Sequence, residues 1–284
     1  MQKSIFQFAL KPPEQCAFPG GNPFRISWFY LTDSWYYLDL GNTRLFESSP
    51  EQIRKYPGER YLDYYYIRWL EDFFDILPQV LSPVPADLYT LISDEQNTCR
   101  LKNCMDSFFD RYETPEGDIP EKVWDIYEDC SKLLYYGQLD TGFLRFKSFC
   151  RFCRLEEEIV LQYDFRDRDK EGDPVWSAEA GEYRIGYEEF LAQITAMLDS
   201  FFRSMDTQIA QAVEMVRNHP GIYAASKGQQ NFYEPDAIAA FLREEHNQRK
   251  DFFSTRLAAA QSGKASSVSW EQVRNALERA EITL

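Results

Sequence analysis

Basic charge, histidine and cysteine are scarce in this sequence, and long apolar runs are missing. Across 284 residues, 31 lysines and arginines face 46 aspartates and glutamates, a formal charge of −15. Binding nucleic acid requires a basic face that releases counterions from phosphates, so nucleic acid is not an expected partner. The charge favours a basic protein as partner, beside the plainer role of acid in keeping a chain dispersed. Charges interrupt every apolar stretch within a few residues, far short of the roughly 20 that span a bilayer, so no membrane segment is expected. In Met1–Leu10 the apolar stretch is broken by Gln7, and Lys11-Pro12-Pro13 follows where a small-residue cleavage site would sit. No secretion signal is read there, and a cytoplasmic location is the expectation.

Six cysteines, at positions 16, 99, 104, 130, 150 and 153, are too few to staple a chain of this length. Cys150-Arg151-Phe152-Cys153 has the spacing of redox and zinc sites, but it lies in a strand-like run and has no second half-site. Cys99 and Cys104 fall in a helical stretch, and the two histidines, His219 and His246, are remote from both. Free thiols are therefore expected. Neither histidine adjoins a nucleophile motif, and no glycine-rich phosphate loop follows a strand, so no cofactor and no catalytic residue is assigned.

The stretch Asp164–Asp173 comes nearest to a metal site. Asp167, Asp169, Glu171 and Gly172 match the first, third, fifth and sixth positions of a calcium loop. The twelfth position is Ala178, where a bidentate carboxylate is required, and strand-like sequence flanks the loop. It reads as a solvated hairpin tip. Glu156-Glu157-Glu158 likewise reads as the solvent edge of a strand, where charge discourages edge pairing.

What the chain has in abundance is aromatic residues. Residues 25 to 46 hold aromatic-rich runs separated by short turns, with Gly41-Asn42 suited to a tight hairpin, so a three-strand antiparallel meander is expected. Asp33 falls in its first turn, between Thr32 and Ser34. A helix is expected from near Arg60, carried by Leu62, Tyr66, Trp69, Leu70, Phe73 and Leu77 and ended or kinked at Pro78. Further helices are expected after Pro85, around Leu101–Phe109, and from Pro120 to a stop at Gly137, with a break at Thr114–Asp118. Strands are expected at 143–154 and 156–165, then two or three more through Pro174–Ala178 and Gly181–Ile185, joining or facing the meander. A long helix over 187–217 keeps one apolar stripe for about 46 Å. Glu234-Pro235-Asp236 opens another, Ser262–Ser267 reads as a linker, and Ser269 with Gln272 offers a capping box for a last helix.

The fold class is therefore α+β: an antiparallel sheet, from residues 24–46 and 143–185, packed against several helices. Residues 1–217 are read as the core domain and 218–284 as a helical extension packed on it. Nothing in the sequence sets the oligomeric state.

Trp28, Tyr30, Trp35, Tyr36 and Tyr37 occupy both parities of the expected strands, so one covered face cannot bury them all. Exposed aromatics beside aspartates would suit an interface with a basic partner. The candidate contact residues are Asp33, Trp35, Tyr36, Asp39, Asp167, Asp169 and Glu171. Ile26-Ser27-Trp28-Phe29-Tyr30-Leu31-Thr32-Asp33-Ser34, with Pro174-Val175-Trp176-Ser177-Ala178-Glu179-Ala180-Gly181 and the Phe190 helix, resembles a bacterial family of unknown function over about residues 25–215. That family has glycine where this chain has Ser34, and the resemblance carries no catalytic residue. The functional expectation is an acidic protein-interaction module of the immunity or antitoxin type. The alternative is an enzyme or small-ligand protein whose site assembles from distant residues, and a third is a subunit of a larger assembly.

Overall fold

A three-stranded antiparallel sheet divides the hydrophobic interior in two. The computed structural model describes residues 4–16, 25–58, 60–113, 118–142, 144, 146, 148–219, 221–225, 231–263 and 268–282. The Thr114–Gly117 break and the 264–267 part of the expected linker lie outside them, as do positions 24, 143, 145 and 147 of the expected strands. The dividing sheet is formed by β6 (Phe149–Leu155), β7 (Glu158–Asp164) and β8 (Ala180–Gly186). Alternation sends Cys150, Phe152, Ile159, Leu161 and Ile185 into the larger core, while Cys153 and Val160 enter the smaller one. The two sulfurs of the Cys-x-x-Cys run thus face opposite ways, and burial pushes the Cys153 thiol up to about 12. Glu156 and Glu157 form the turn between β6 and β7 rather than a strand edge, with Glu156 at φ +52°.

The larger core is aromatic. A second sheet brackets β3 (Asp33–Asp39) between β1 (Phe6–Leu10) on one edge and, sharing the other, β4 (Arg44–Leu45) and β5 (Leu62–Tyr65). Helix α1 (Pro50–Lys55) lies between β4 and β5 in the chain, capped by the Ser49 hydroxyl, which accepts from the Gln52 amide at 3.1 Å. On α2 (Tyr66–Val80), Tyr66, Trp69 and Phe73 follow three- and four-residue steps and stack in sequence, with centroids 5.6 and 5.0 Å apart. Phe73 meets Phe152 of the central sheet at 5.4 Å. The 32-residue α6 (Tyr187–Asn218) runs unbroken through Ser204–Asp206 and lines this core with Phe190, Ile194, Phe201 and Met205. Helix α7 (Pro235–Gln261) packs on α6 and α2, where Phe253 meets Phe74 at 4.9 Å.

The smaller core is mainly aliphatic. Short α3 (Ala86–Tyr89), α4 (Glu95–Asp110), α5 (Glu121–Leu134) and α8 (Trp270–Arg279) bury Leu88, Leu101, Met105, Ile126, Leu133, Val273 and Leu277 together. The Ser269 hydroxyl accepts from the Gln272 amide at 3.3 Å, the N-cap half of the expected capping box. Gly137, after α5, sits at φ +62°, and a Cβ there would lie 2.0 Å from the Phe152 carbonyl oxygen. Glycine is what lets that loop bond to β6, through the Phe152 amide and the Gly137 carbonyl at 2.9 Å.

Several expectations are corrected. β2 (Arg25–Ile26) leaves the meander to pair in parallel with β9 (Tyr223–Ala225), itself paired with β10 (Asn231–Phe232). Trp28–Thr32 curls into a turn and a 3₁₀ segment, because the Ser27 hydroxyl accepts from the Tyr30 amide at 3.2 Å. Residues 62–65 pair with β3 as a strand, so the helix begins at Tyr66. Pro174–Ala178 forms isolated bridges instead of a strand, and the central sheet is separate from that of β3. Helices and antiparallel sheets together confirm the α+β class.

Candidate functional site

β3 does not present its acids and aromatics to solvent. Tyr36 points to the larger core and is 1 % exposed. Asp33 is no turn residue: it opens β3, buried, with the Lys11 ammonium 3.1 Å away. Asp39 is also buried, accepting from the Gly41 amide at 3.1 Å and lying 3.9 Å from Arg44. Trp35 and Tyr37 occupy the opposite parity and are half-buried. Lys11 lies over the Trp35 ring at 5.3 Å, and Tyr37 stacks on Tyr61 at 4.2 Å beneath Arg44. The second face of this sheet is thus covered by cations and a tyrosine. Behind β3, the Tyr36 and Tyr66 hydroxyls, the Trp69 indole N–H and Asp72 Oδ2 are buried without a partner among the described residues. Burial pushes the Asp72 carboxyl up to about 6 against the opposing pull of Arg68.

The acidic loop is held from another direction. Asp169 accepts from the Lys55 ammonium at 2.5 Å and the Gln52 amide at 2.7 Å, both on α1, and from the Glu171 and Asp173 backbone amides at 3.0 Å. These bonds hold its carboxyl far below the usual carboxylate range, the Lys55 bond contributing most. Lys55 also lies 2.8 Å from Asp173 and 3.5 Å from the exposed Glu171, while the Asp167 carbonyl accepts from the Val175 amide at 3.1 Å. The loop is folded on its own acids and one lysine. The seven candidates therefore fall in two places: Asp33, Trp35 and Asp39 lie beside Lys11 or Arg44, with Tyr36 turned into the core, and Asp169 and Glu171 lie beside Lys55, with Asp167 in the same loop.

An aromatic and acidic surface does exist, on α4 and α5. Trp124 is 51 % exposed. Its ring meets Phe109 of α4 edge-on at 4.5 Å, and Phe109 meets Tyr127 at 4.8 Å. The Tyr127 hydroxyl donates to Asp106 at 3.0 Å, and burial with that bond pushes the phenol up to about 12, so it stays a donor. Glu121, Trp124, Glu128 and Tyr135 follow three-, four- and seven-residue steps along the outer side of α5. Between Asp106 and Glu128 the described residues carry seven carboxylates against two cations, Arg111 and Lys122, and Arg111 is held by Glu281 at 2.9 Å. The sequence contains this signal: Trp124 lies off the inward stripe of Val123, Ile126, Cys130 and Leu133. It is less conspicuous than the aromatic run near β3.

Among the described residues no group of three or more histidine, cysteine, aspartate or glutamate side chains could hold a metal ion, and no helix is long and apolar enough to cross a membrane. No curated protein and no solved structure matches the chain. The model of a family of unknown function, DUF5984, matches residues 5–276, nearly the whole chain and well beyond the span suggested by the two motifs, and the protein belongs to that family.

Proposed function

We propose that the protein is an acidic protein-interaction module that docks a basic protein on the α4–α5 face, in the manner of an immunity or antitoxin-like protein masking a cationic toxin. The observation that carries this reading is the exposed Trp124, braced by Phe109 and Tyr127 and surrounded by carboxylates. Tryptophan and tyrosine held rigid before binding lose little conformational freedom on contact, which suits them as anchors. The surrounding acids would accelerate encounter with a cationic partner and make it salt-sensitive.

An aromatic photo-crosslinking residue, which keeps a ring at position 124 of the full chain, tests this reading in lysate of its native cells at low and high salt, with position 252 as a control on α7, where Phe252 is also exposed. The expected product is a basic protein captured at 124, absent at 252 and lost at high salt. Capture independent of salt, or confined to 252, would contradict the proposal.

A further inference from the structure

A second feature lies at the other end of α4. The cleft between the N-terminal turns of α4 and the β6–β7–β8 sheet encloses about 610 Å³, within the range of small-molecule sites. It is lined by Thr98 and Cys99 of α4 and by Phe149 and Arg151 of β6. Arg151 is 1 % exposed, opposite Gln162 in the β6–β7 ladder, with its guanidinium carbon 5.0 Å from the Phe149 ring centre. One terminal nitrogen donates to the Ile92 carbonyl at 3.0 Å and lies 3.5 Å from the Gln162 side-chain oxygen; the other donates to the Leu134 carbonyl at 2.6 Å. All three acceptors are neutral, and Nε has no acceptor among the described residues. The C-terminal carbonyls of α5 offset part of the charge through the helix dipole. A buried guanidinium without a counter-ion nonetheless remains unfavourable until an anion answers it.

The acids at the cleft are differently placed. Asp164 and Glu95 both hold Arg166, Glu182 holds Arg184 at 2.7 Å, and Asp94 caps α4 by accepting from the Asn97 amide at 2.8 Å. The cleft is therefore lined by an arginine with no carboxylate partner among the described residues, by Arg166 held between two acids, and by further acids that each have a partner of their own. We infer that it binds a small zwitterion of the amino-acid class with an apolar or aromatic side chain, its carboxylate directed to Arg151 and its ammonium to the lining acids, Glu182 first among them. A chain of charge −15 repels a free anion at long range, whereas a zwitterion arrives neutral. An ammonium compound alone would leave Arg151 unanswered. This inference is independent of the α4–α5 docking face.

Cys99 supplies the readout, because its thiol is exposed and lines the cleft. The full chain is alkylated with iodoacetamide, and modification of the Cys99 peptide is timed with L-phenylalanine, 3-phenylpropionate or 2-phenylethylamine present. L-Phenylalanine should slow alkylation at least five-fold at saturation, with half-protection at a concentration at least ten-fold below that of either analogue. Arg151→Lys should weaken protection about ten-fold. Thr98→Trp, at the cleft wall and away from the Arg151 bonds, should abolish it in a folded chain. Glu182→Gln should weaken protection by L-phenylalanine but not by 3-phenylpropionate. Protection by none of the three, equal protection by all, or protection by the carboxylate alone as strong as by the zwitterion would overturn the inference, as would protection that survives Thr98→Trp.

Discussion

The two sides of the central sheet are packed with different side chains, mainly aromatic on one and mainly aliphatic on the other. On the α2 and α6 side, Trp69, Phe73 and Phe190 are fully buried in ring contact, and the equally buried Trp28 joins them through Phe201 and Tyr66. On the α4 and α5 side, leucine, isoleucine, valine and methionine form much of the core, while Trp124, Tyr112 and Tyr135 remain exposed. Aromatic density in a sequence therefore reports where packing is heaviest. Position relative to a helix's inward stripe reports which aromatic residue is left for a partner.

The strongest way to break this comparison is to truncate one residue on each side. Phe73→Ala should cost about 3–5 kcal/mol in chemical denaturation, because its ring contacts Phe6, Trp69, Phe152 and Phe190 and the site cannot collapse around the void. Trp124→Ala should stay within about 0.5 kcal/mol of the parent. Equal losses would remove the distinction between glue and contact surface.

Gly137→Ala probes the join between the two cores. Left-handed backbone alone costs a non-glycine residue roughly 1–3 kcal/mol, and the approach of the Phe152 carbonyl adds to that. The variant should show a lowered midpoint of unfolding and faster hydrogen exchange in both β6 and the end of α5. Exchange confined to one of them would mean that the cores are held independently.

A smaller effect separates the half-buried Asp72 of the aromatic side from its buried histidine. The Asp72 carboxyl is raised in the folded state to about 6, so the stability it contributes is full below its unfolded value near 4 and is lost as pH rises through about 6. Asp72→Asn should therefore stabilise the protein at pH 7.5 by roughly 1 kcal/mol after solvent screening, with the gain vanishing below pH 4. His246 has the opposite sign. Burial holds its pKa below the usual histidine range, while its Nδ1 accepts from the Trp28 indole N–H and its Nε2 faces Asp206, both at 3.3 Å. Its contribution is intact above about 6.5 and is lost as pH falls below that. His246→Gln should flatten the acid side of the stability profile, because protonation of Nδ1 removes the acceptor of the Trp28 bond; a parallel profile would show that His246 does not carry the acid sensitivity.

Periodicity made much of this architecture legible. The alternation of Ile159, Val160, Leu161 and Gln162 identified β7, and the stripe from Phe190 to Val216 identified α6. Residues 62–65 misled because Leu62 stands four residues before Tyr66 and extends the helical stripe, although its backbone pairs with β3. Trp28–Thr32 misled because the Ser27 cap competes with strand formation, a local bond that hydrophobic patterning does not register. The candidate contacts at β3 are buried or covered for a tertiary reason. Strand parity separates Tyr36 from Trp35, but it does not reveal that Lys11 and Arg44 cover the second face. Arg151 was hidden between two cysteines, where only the β6–β7 register discloses a buried cation opposite Gln162.

The most direct test compares two tryptophans in binding to the basic partner captured at position 124. Trp124→Ala should weaken affinity at least ten-fold, whereas Trp35→Ala, beneath Lys11 on the other side of the molecule's architecture, should leave it within two-fold. Loss of binding with Trp35→Ala and none with Trp124→Ala would contradict the account.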